Sequence, residues 1–100
     1  MRIGINGFGR IGRCVFWALH QRGLSDQLHI AQINDPGDLD TLRLLARYDS
    51  THGRFNLPLL TTADGFEVAG QRTRFTNADE ACDIRWDNVD LVMECSGRNP

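Results

Sequence analysis

The sequence of 100 residues contains no lysine, so all 11 of its cationic side chains are arginines. A Walker-type loop needs a lysine to reach the nucleotide phosphates, and Schiff-base catalysis needs a lysine amine as nucleophile. Neither chemistry is available to these residues. The arginines are nearly balanced by 13 acidic residues, which gives a formal net charge of −2. Nucleic acids and anionic membranes attract a basic excess, so we expect neither as a partner.

Cysteines are few and the hydrophobic runs are short. Cys14, Cys82 and Cys95 are an odd number without the close spacing of metal ligands, so we expect no disulfide framework and no metal site. No signal-peptide pattern precedes the first apolar run, and no run is long enough to span a membrane. The composition, 41% hydrophobic and 24% charged, is that of a globular chain. These features predict one cytoplasmic domain.

The beginning of the chain has the pattern of a strand, a helix and a second strand. Arg2–Asn6 is an apolar run of strand length, and apolar residues from Arg10 to Arg22 recur at helical spacing. Gly23 is suited to cap this helix, and Leu28–Ile33 predicts the second strand. Because a helix connects them, the strands are expected to be parallel, as in a βαβ unit. The predicted apolar stripe of the helix is formed by Ile11, Val15, Ala18 and Leu19.

The rest of the chain predicts a second helix, a small antiparallel excursion and a last strand. The helix follows Asp38, a suitable N-cap, and is expected to end before the polar turn Tyr48–Gly53. Its apolar stripe is formed by Leu39, Leu42, Leu45 and Ala46. Short runs separated by tight reversals predict the excursion, at Asn56–Leu60, Phe66–Val68 and Arg72–Phe75. Asn77–Trp86 is expected to be irregular or weakly helical, and Asp90–Cys95 is the last predicted strand.

A glycine-rich turn, Gly7–Gly12, has the pattern G-x-G-x-x-G between the first strand and the first helix. The pattern alone also occurs in unrelated α/β proteins, but Asp35 follows Gly12 by 23 residues at the end of the next strand, as in dinucleotide-binding folds. A carboxylate there can accept both hydrogen bonds of a ribose diol and would repel a 2′-phosphate, which favours NAD over NADP. We therefore predict an α/β fold: a Rossmann-type doubly wound parallel sheet with a small antiparallel excursion, incomplete at its C-terminal end.

Each position of the turn has a physical role in such a site. Gly7 permits the tight turn, Gly9 lets the backbone approach a pyrophosphate, and Gly12 allows helix and strand to pack closely. The backbone amides of Arg10 and Ile11, at the positive end of the helix dipole, can hold phosphate oxygens.

The other notable side chains are expected to be structural. We expect His20 and His29 to be structural or surface residues, Cys14 to pack in the core, and Cys95 to lie in the core or a pocket wall. The aromatic residues Phe16, Trp17 and Trp86 are expected in the core or an interface. An irregular acidic run is expected to be a solvated face rather than a metal site; it contains Asp79, Glu80, Asp83, Asp87 and Asp90.

Five segments, in order along the chain, carry the motifs of a known family. The first, Ile3–Arg13, contains the glycine turn. Ile33–Pro36 and Tyr48–Phe55 match two further signatures, and Ile84–Trp86 and Glu94–Gly97 are similar to two later ones. Together these segments resemble phosphorylating glyceraldehyde-3-phosphate dehydrogenase over the whole chain, which is far more specific than the glycine turn alone.

The resemblance implies that residues 1–100 are the amino-terminal NAD-binding domain of a longer homotetrameric enzyme that oxidises and phosphorylates an aldehyde phosphate. In that family Tyr48–Phe55 is structural and partly at subunit contacts. The nucleophilic cysteine and the histidine base lie in a later domain, and no cysteine here matches their Ser-Cys-Thr-Thr-Asn motif, so no catalytic residue is assigned. The implied NAD site consists of Asn6, Gly7, Phe8, Gly9, Arg10, Ile11, Gly12, Asn34, Asp35, Ser96 and Gly97.

The chain departs from the family at two places. Asp79 stands where the family often has an arginine beside the adenine, so that contact is not carried over. Cys95-Ser96 replaces Ser-Thr, which indicates a divergent member. Other hypotheses stay open: erythrose-4-phosphate dehydrogenase or an arsenate-linked member of the family, a stand-alone NAD-binding or redox-sensing module, and an unrelated Rossmann dehydrogenase or reductase.

Overall fold

The computed structural model describes residues 1–24, 26–51 and 59–96. In chain order, its helices and strands are β1 (Arg2–Asn6), α1 (Arg10–Gln21), β2 (His29–Asn34), α2 (Leu39–Thr51), β3 (Leu59–Thr62), β4 (Gly65–Val68), β5 (Gln71–Thr76) and β6 (Leu91–Glu94). A short 3₁₀ helix, Ala81–Asp83, lies in the segment predicted to be irregular or weakly helical. Most of the predicted strand Asn56–Leu60 and the end of Tyr48–Phe55 lie outside the described residues.

The strands form one sheet in the order β3-β4-β5-β2-β1-β6. The four strands β5, β2, β1 and β6 are parallel, and β3 and β4 extend the sheet in antiparallel fashion. The chain moves from β1 to one side through β2 and later returns to the other side as β6, so the strand order reverses beside β1. This arrangement confirms the predicted Rossmann-type fold and its βαβ unit.

The antiparallel excursion is also confirmed, with one difference. The run predicted as its third strand, Arg72–Phe75, lies within β5, which pairs in parallel with β2 and therefore belongs to the main sheet. Sequence patterns predict the length of a strand but not the strand with which it pairs, so the pairing of β5 with β2 was not predicted. The reversal between β4 and β5 uses Ala69 and Gly70 at φ values of +52° and +79°, the conformation of a tight hairpin turn.

The predicted helix signals lie where expected, except at the end of α2. Gly23 adopts a φ of +71° after α1 and donates its N–H to the His20 carbonyl at 3.2 Å. The Asp38 carboxylate accepts the Thr41 N–H at 3.1 Å, which is an N-cap. The predicted polar turn at Tyr48 is wrong, because α2 continues to Thr51. Extending an existing helix adds one hydrogen bond per residue, so a few weak helix formers do not end it.

The core lies between the sheet and both α-helices. Phe8, Phe16 and Phe66 are fully buried and contact one another with ring centroids 5.8–6.0 Å apart. The Trp17 indole N–H donates to the Ala46 carbonyl at 2.9 Å and joins α1 to α2. Burying three such rings removes much apolar surface from water, and edge-to-face contacts between them add to that stabilisation. Neither described helix is long and apolar enough to cross a membrane.

The predicted stripe of α1 is only partly confirmed. Val15 and Leu19 are partly buried against the core, but the buried residues of the helix are Gly12, Phe16, Trp17 and His20, and the Ile11 side chain is 67% exposed. Cys14 is exposed as well, so the prediction that it packs in the core is wrong. Both stripes have helical spacing, and the orientation that buries two large aromatic side chains removes the most apolar surface from water.

The opposite face of the sheet is covered by irregular chain at Ile84–Asp87. A Cβ atom added to Gly4 would lie 2.5 Å from the Trp86 ring, so only a glycine lets the indole lie on β1. The buried Gln32 side chain donates to the Arg85 carbonyl at 3.0 Å and accepts the Asp87 N–H at 3.2 Å. Trp86 was expected in the core or an interface, and its half-buried ring packs against β1 outside the main core cluster.

The buried His20 makes the stability of the fold depend on pH. Its ring lies 4.8 Å from that of Phe16, and burial, together with nearby His29, lowers its pKa to about 4. The unfolded chain binds a proton near pH 6.5 and the folded chain does not, so stability falls as the pH drops from 6.5 to 4. We expect the free energy of unfolding to decrease by about 2 kcal/mol between pH 7 and pH 5 through this residue.

Urea denaturation at the two pH values measures this decrease. His20→Phe keeps the aromatic contact and removes the titration, so its pH 7 to pH 5 difference should be smaller by that amount. An unchanged difference in the variant would show that other groups cause the acid sensitivity.

Candidate cofactor-binding site

A cavity of about 480 Å³ opens at the carboxyl ends of the parallel strands, where the strand order reverses. Ligands of open α/β sheets bind at this position. Six of the predicted site residues line it: Asn6, Gly7, Gly9, Asn34, Asp35 and Ser96. Gly97, another predicted member, lies outside the described residues.

The glycine turn has the geometry that its sequence predicts. Gly7 adopts a φ of +100°, and a Cβ atom there would lie 2.4 Å from the Ser96 Cα. A Cβ at Gly12 would lie 2.2 Å from the Gly7 carbonyl oxygen, so this glycine brings α1 against the turn. Nothing lies within 4 Å of the position a Gly9 Cβ would take, which leaves open space above the turn on the cavity side.

The residues between these glycines act through their backbones. The Phe8 ring is buried in the core, and the backbone N–H of Phe8 donates to Asp35 Oδ2 at 2.8 Å. Arg10 and Ile11 begin α1 with exposed side chains, and no side chain caps the amides at this end of the helix. Helix N-terminal amides beside an open glycine turn are suited to bind the oxygens of a pyrophosphate.

The Asp35 carboxylate is held in place on both of its oxygens. Oδ2 accepts the Phe8 N–H and Oδ1 accepts the Gly37 N–H, each at 2.8 Å. A carboxylate oxygen has two lone-pair directions, so both oxygens can accept one further hydrogen bond. The hydroxyl groups of a ribose 2′,3′-diol are matching donors. These residues therefore fit an adenosine ribose beside the pyrophosphate position.

Asn34 lines the cavity, and its side chain also fixes a neighbouring loop. Its side chain is buried and holds Ala78 from both sides, donating to the carbonyl and accepting the N–H, each at 3.0 Å. It also accepts the hydroxyl of Thr76 at 2.8 Å. Asn34 thus fixes the loop that forms the far wall of the cavity.

At the other end of the cavity, Glu94 receives hydrogen bonds from two predicted site residues. Asn6 donates its side-chain amide to Oε2 at 2.8 Å, and Ser96 donates its N–H to Oε1 at 3.2 Å and its hydroxyl to the same oxygen. These bonds, first from Ser96 and then from Asn6, lower the pKa of Glu94. Burial and the Glu94 charge raise the pKa of the Cys95 thiol, which lines the cavity. Cys95 thus lies in the cavity wall, which is one of its two predicted locations.

Six lining residues were absent from the predicted NAD site: Pro36, Ala78, Asp79, Glu80, Ile84 and Cys95. Two of them were anticipated in another way, since Cys95 was expected in the core or a pocket wall and the family resemblance aligns Asp79 with a position beside the adenine. Asp79 and Glu80 are exposed, as predicted for a solvated face, and they line this cavity. Most of these residues follow β5, and only its parallel pairing with β2 places them at the site. Among the described residues, no group of three or more His, Cys, Asp or Glu side chains could hold a metal ion.

Alanine substitutions at Gly12 and Gly9 are expected to affect folding and NAD binding differently. Gly12→Ala forces a methyl group against the Gly7 carbonyl, so we expect a lower thermal midpoint and weaker NAD binding. Gly9→Ala meets no neighbour, so its thermal midpoint should stay near that of the wild type while NAD affinity falls at least about tenfold, since the methyl occupies the pyrophosphate space. Calorimetric titration with NAD and thermal denaturation measure both quantities. Normal affinity in Gly9→Ala would contradict this position for the pyrophosphate.

Comparison with known proteins identifies the family. Residues 1–99 match the family described as glyceraldehyde 3-phosphate dehydrogenase, NAD binding domain. Among similar proteins is the cytosolic glyceraldehyde-3-phosphate dehydrogenase of Trypanosoma brucei brucei, 40% identical over 99 residues, which is 97% of this chain and 29% of that protein. Glyceraldehyde-3-phosphate dehydrogenase A of Escherichia coli is 39% identical over 99 residues, which is again 97% of this chain and 29% of that protein.

The glyceraldehyde-3-phosphate dehydrogenase of Cereibacter sphaeroides is 38% identical over 97 residues. The chain spans 29% of the length of each of these relatives and almost all of its own. A family match over nearly every residue agrees with the glycine turn, the anchored Asp35 and the strand order. The chain belongs to the glyceraldehyde-3-phosphate dehydrogenase family, as an NAD-binding domain whose cofactor is NAD.

Proposed function

We propose that this chain is the amino-terminal, NAD-binding part of a longer, cytoplasmic, homo-oligomeric dehydrogenase that oxidises and phosphorylates an aldehyde phosphate. The observation that carries the proposal is the hydrogen bond from Phe8 of the glycine turn to the Asp35 carboxylate. It joins the pyrophosphate position and the ribose position into one rigid dinucleotide site. The names of the relatives favour glyceraldehyde 3-phosphate as the substrate, and one of them is named as cytosolic.

The residues of this chain would bind and orient the cofactor. The amides of Arg10 and Ile11 would hold the pyrophosphate, while Asp35 would accept hydrogen bonds from the adenosine ribose. Asn6 and Ser96 would line the opposite end of the groove, with Gly97 as a further predicted contact. When bound, NAD supplies the acceptor for the hydride that leaves the aldehyde.

The described residues support a binding role rather than a catalytic one. Cys95 lines the groove, but burial and the Glu94 charge raise the pKa of its thiol and so favour it over the nucleophilic thiolate. The other two cysteines, Cys14 and Cys82, are exposed and do not line the groove. We therefore place the nucleophilic cysteine and its histidine base in a second domain of the protein.

The cavity also selects against a phosphorylated ribose. Three carboxylates lie along its adenosine side, on Asp35, Asp79 and Glu80, and none of the described residues that line it is a cation. A 2′-phosphate brings about two negative charges and needs an arginine or lysine partner. The proposed cofactor preference is thus NAD over NADP.

An assay of the protein expressed from its complete gene tests the proposed activity. We expect phosphate-dependent reduction of NAD with glyceraldehyde 3-phosphate, much slower reduction of NADP, and a Cys-Thr-Thr-Asn-like motif beyond Pro100. Faster turnover of erythrose 4-phosphate would move the substrate to that aldehyde. NAD binding without activity on either aldehyde would favour a stand-alone NAD-binding module.

Asp35→Asn tests the cofactor preference. The amide keeps one acceptor oxygen and loses the charge, so NAD affinity should fall about tenfold while NADP affinity stays equal or rises. The matched control is Asp38→Asn, a nearby carboxylate that caps α2 and does not line the cavity, and it should leave both affinities unchanged. Calorimetric titration with each cofactor measures the ratio. An unchanged ratio in Asp35→Asn would contradict the proposed ribose contact.

A further inference from the structure

The last residues of the four parallel strands lie side by side in the sheet. Asn34 pairs with Thr76 of β5 on one side and with Asn6 of β1 on the other, and Asn6 pairs with Glu94 of β6. Their side chains form a hydrogen-bonded row, which we call the strand-end row: Thr76, Asn34, Asn6 and Glu94. Its two central members, Asn34 and Asn6, line the NAD groove at the point where the strand order reverses.

Every donor in the strand-end row points toward Glu94. The Thr76 hydroxyl donates to Asn34 Oδ1 at 2.8 Å, and Asn34 Nδ2 donates to Asn6 Oδ1 at 3.4 Å. Asn6 Nδ2 then donates to Glu94 Oε2 at 2.8 Å. Glu94 is the only charged member of the row and its final acceptor.

The direction of the row is fixed at Asn34 by the backbone. The Ala78 N–H donates to Asn34 Oδ1, and the Ala78 carbonyl accepts from Asn34 Nδ2, each at 3.0 Å. If the amide were turned over, its NH₂ group would face the Ala78 N–H and its oxygen would face the Ala78 carbonyl, so its orientation is fixed. Asn6 must therefore present its oxygen to Asn34. Its NH₂ group is left facing residue 94, which has to be an acceptor.

Residue 94 also accepts hydrogen bonds from Ser96. Its other oxygen, Oε1, receives the Ser96 N–H at 3.2 Å and the Ser96 hydroxyl. A carboxylate accepts on both oxygens at once, whereas a glutamine of the same shape has one acceptor oxygen and one donor NH₂. At this exposed position, a carboxylate can accept all of these hydrogen bonds at once, and a glutamine cannot.

We propose that Glu94 is a positioning residue for NAD, which fixes the Asn6 amide and the Ser96 hydroxyl in the groove by accepting hydrogen bonds from both. It acts through these two residues, which line the groove. Groups held in their binding orientation before the ligand arrives need no reordering when it binds, which increases affinity. The proposal rests on the NAD site described above.

Calorimetric titration with NAD, on the protein expressed from its complete gene, tests the proposal. Glu94→Gln should weaken NAD binding about tenfold, the size of effect that a lost hydrogen bond to a charged group produces. Asp90→Asn is the matched control, because it removes an exposed carboxylate at the other end of β6, where Oδ2 accepts the Arg2 N–H at 2.8 Å. It should bind NAD as the wild type does.

A double-mutant cycle separates positioning from general destabilisation. In a protein that carries Asn6→Ala, the glutamine introduced at position 94 can turn its oxygen to Ser96 and its NH₂ group to solvent. If Glu94 acts through the Asn6 amide, Glu94→Gln should then weaken NAD binding by less than about threefold, against about tenfold when Asn6 is present. A residue that only stabilises the fold would cause the same loss in both proteins.

The outcomes are distinct. An equal loss of NAD affinity from Glu94→Gln with and without Asn6→Ala, or a Glu94→Gln variant equal to Asp90→Asn, would overturn the role of Glu94 while leaving the NAD site intact. Wild-type protein that does not bind NAD would instead overturn the site itself. Thermal midpoints measured without NAD show whether each variant folds.

Discussion

The structure depends on the close contact between the start of α1 and the glycine turn. Gly12 meets the Gly7 carbonyl so closely that any side chain there would collide with it. This contact sets where α1 begins and lets the Phe8 ring enter the core beside Phe16. The Phe8 amide is thereby left facing Asp35 at the end of β2. One backbone contact thus couples the packing of the core to the shape of the cofactor site.

The parallel arrangement of the strands provides the second half of the site. Because the carboxyl ends of parallel strands meet at one edge, residues far apart in the chain become neighbours there. Thr76, Asn34, Asn6 and Glu94 are the final residues of their strands, and their in-register pairing is what allows one continuous hydrogen-bonded row. The same edge brings the acidic loop after β5 to the groove. The acidic loop and the hydrogen-bonded row thus lie at the same edge of the sheet.

Much of the fold was predictable because its signals are local. A strand, a glycine turn and a helix are each encoded by adjacent residues, and Gly23 and Asp38 cap their helices as residues of their type do. The rotation of α1 was not predictable, because both candidate stripes share the helical period and only the volume available beneath the sheet distinguishes them. The end of α2 was misplaced since polar residues weaken a helix without ending it.

The features of the site also fall into two groups: those that neighbouring residues encode and those that the tertiary structure decides. The sequence by itself determined the glycine turn, the acidic residue 23 positions after it, and hence the dinucleotide class, because these depend on backbone geometry within one βαβ unit. Tertiary structure alone decided that β5 lies beside β2, that the Asn34 side chain holds Ala78, and that Glu94 accepts a hydrogen bond from Asn6. Those contacts join residues up to 88 positions apart, and only the pairing of strands brings such residues together.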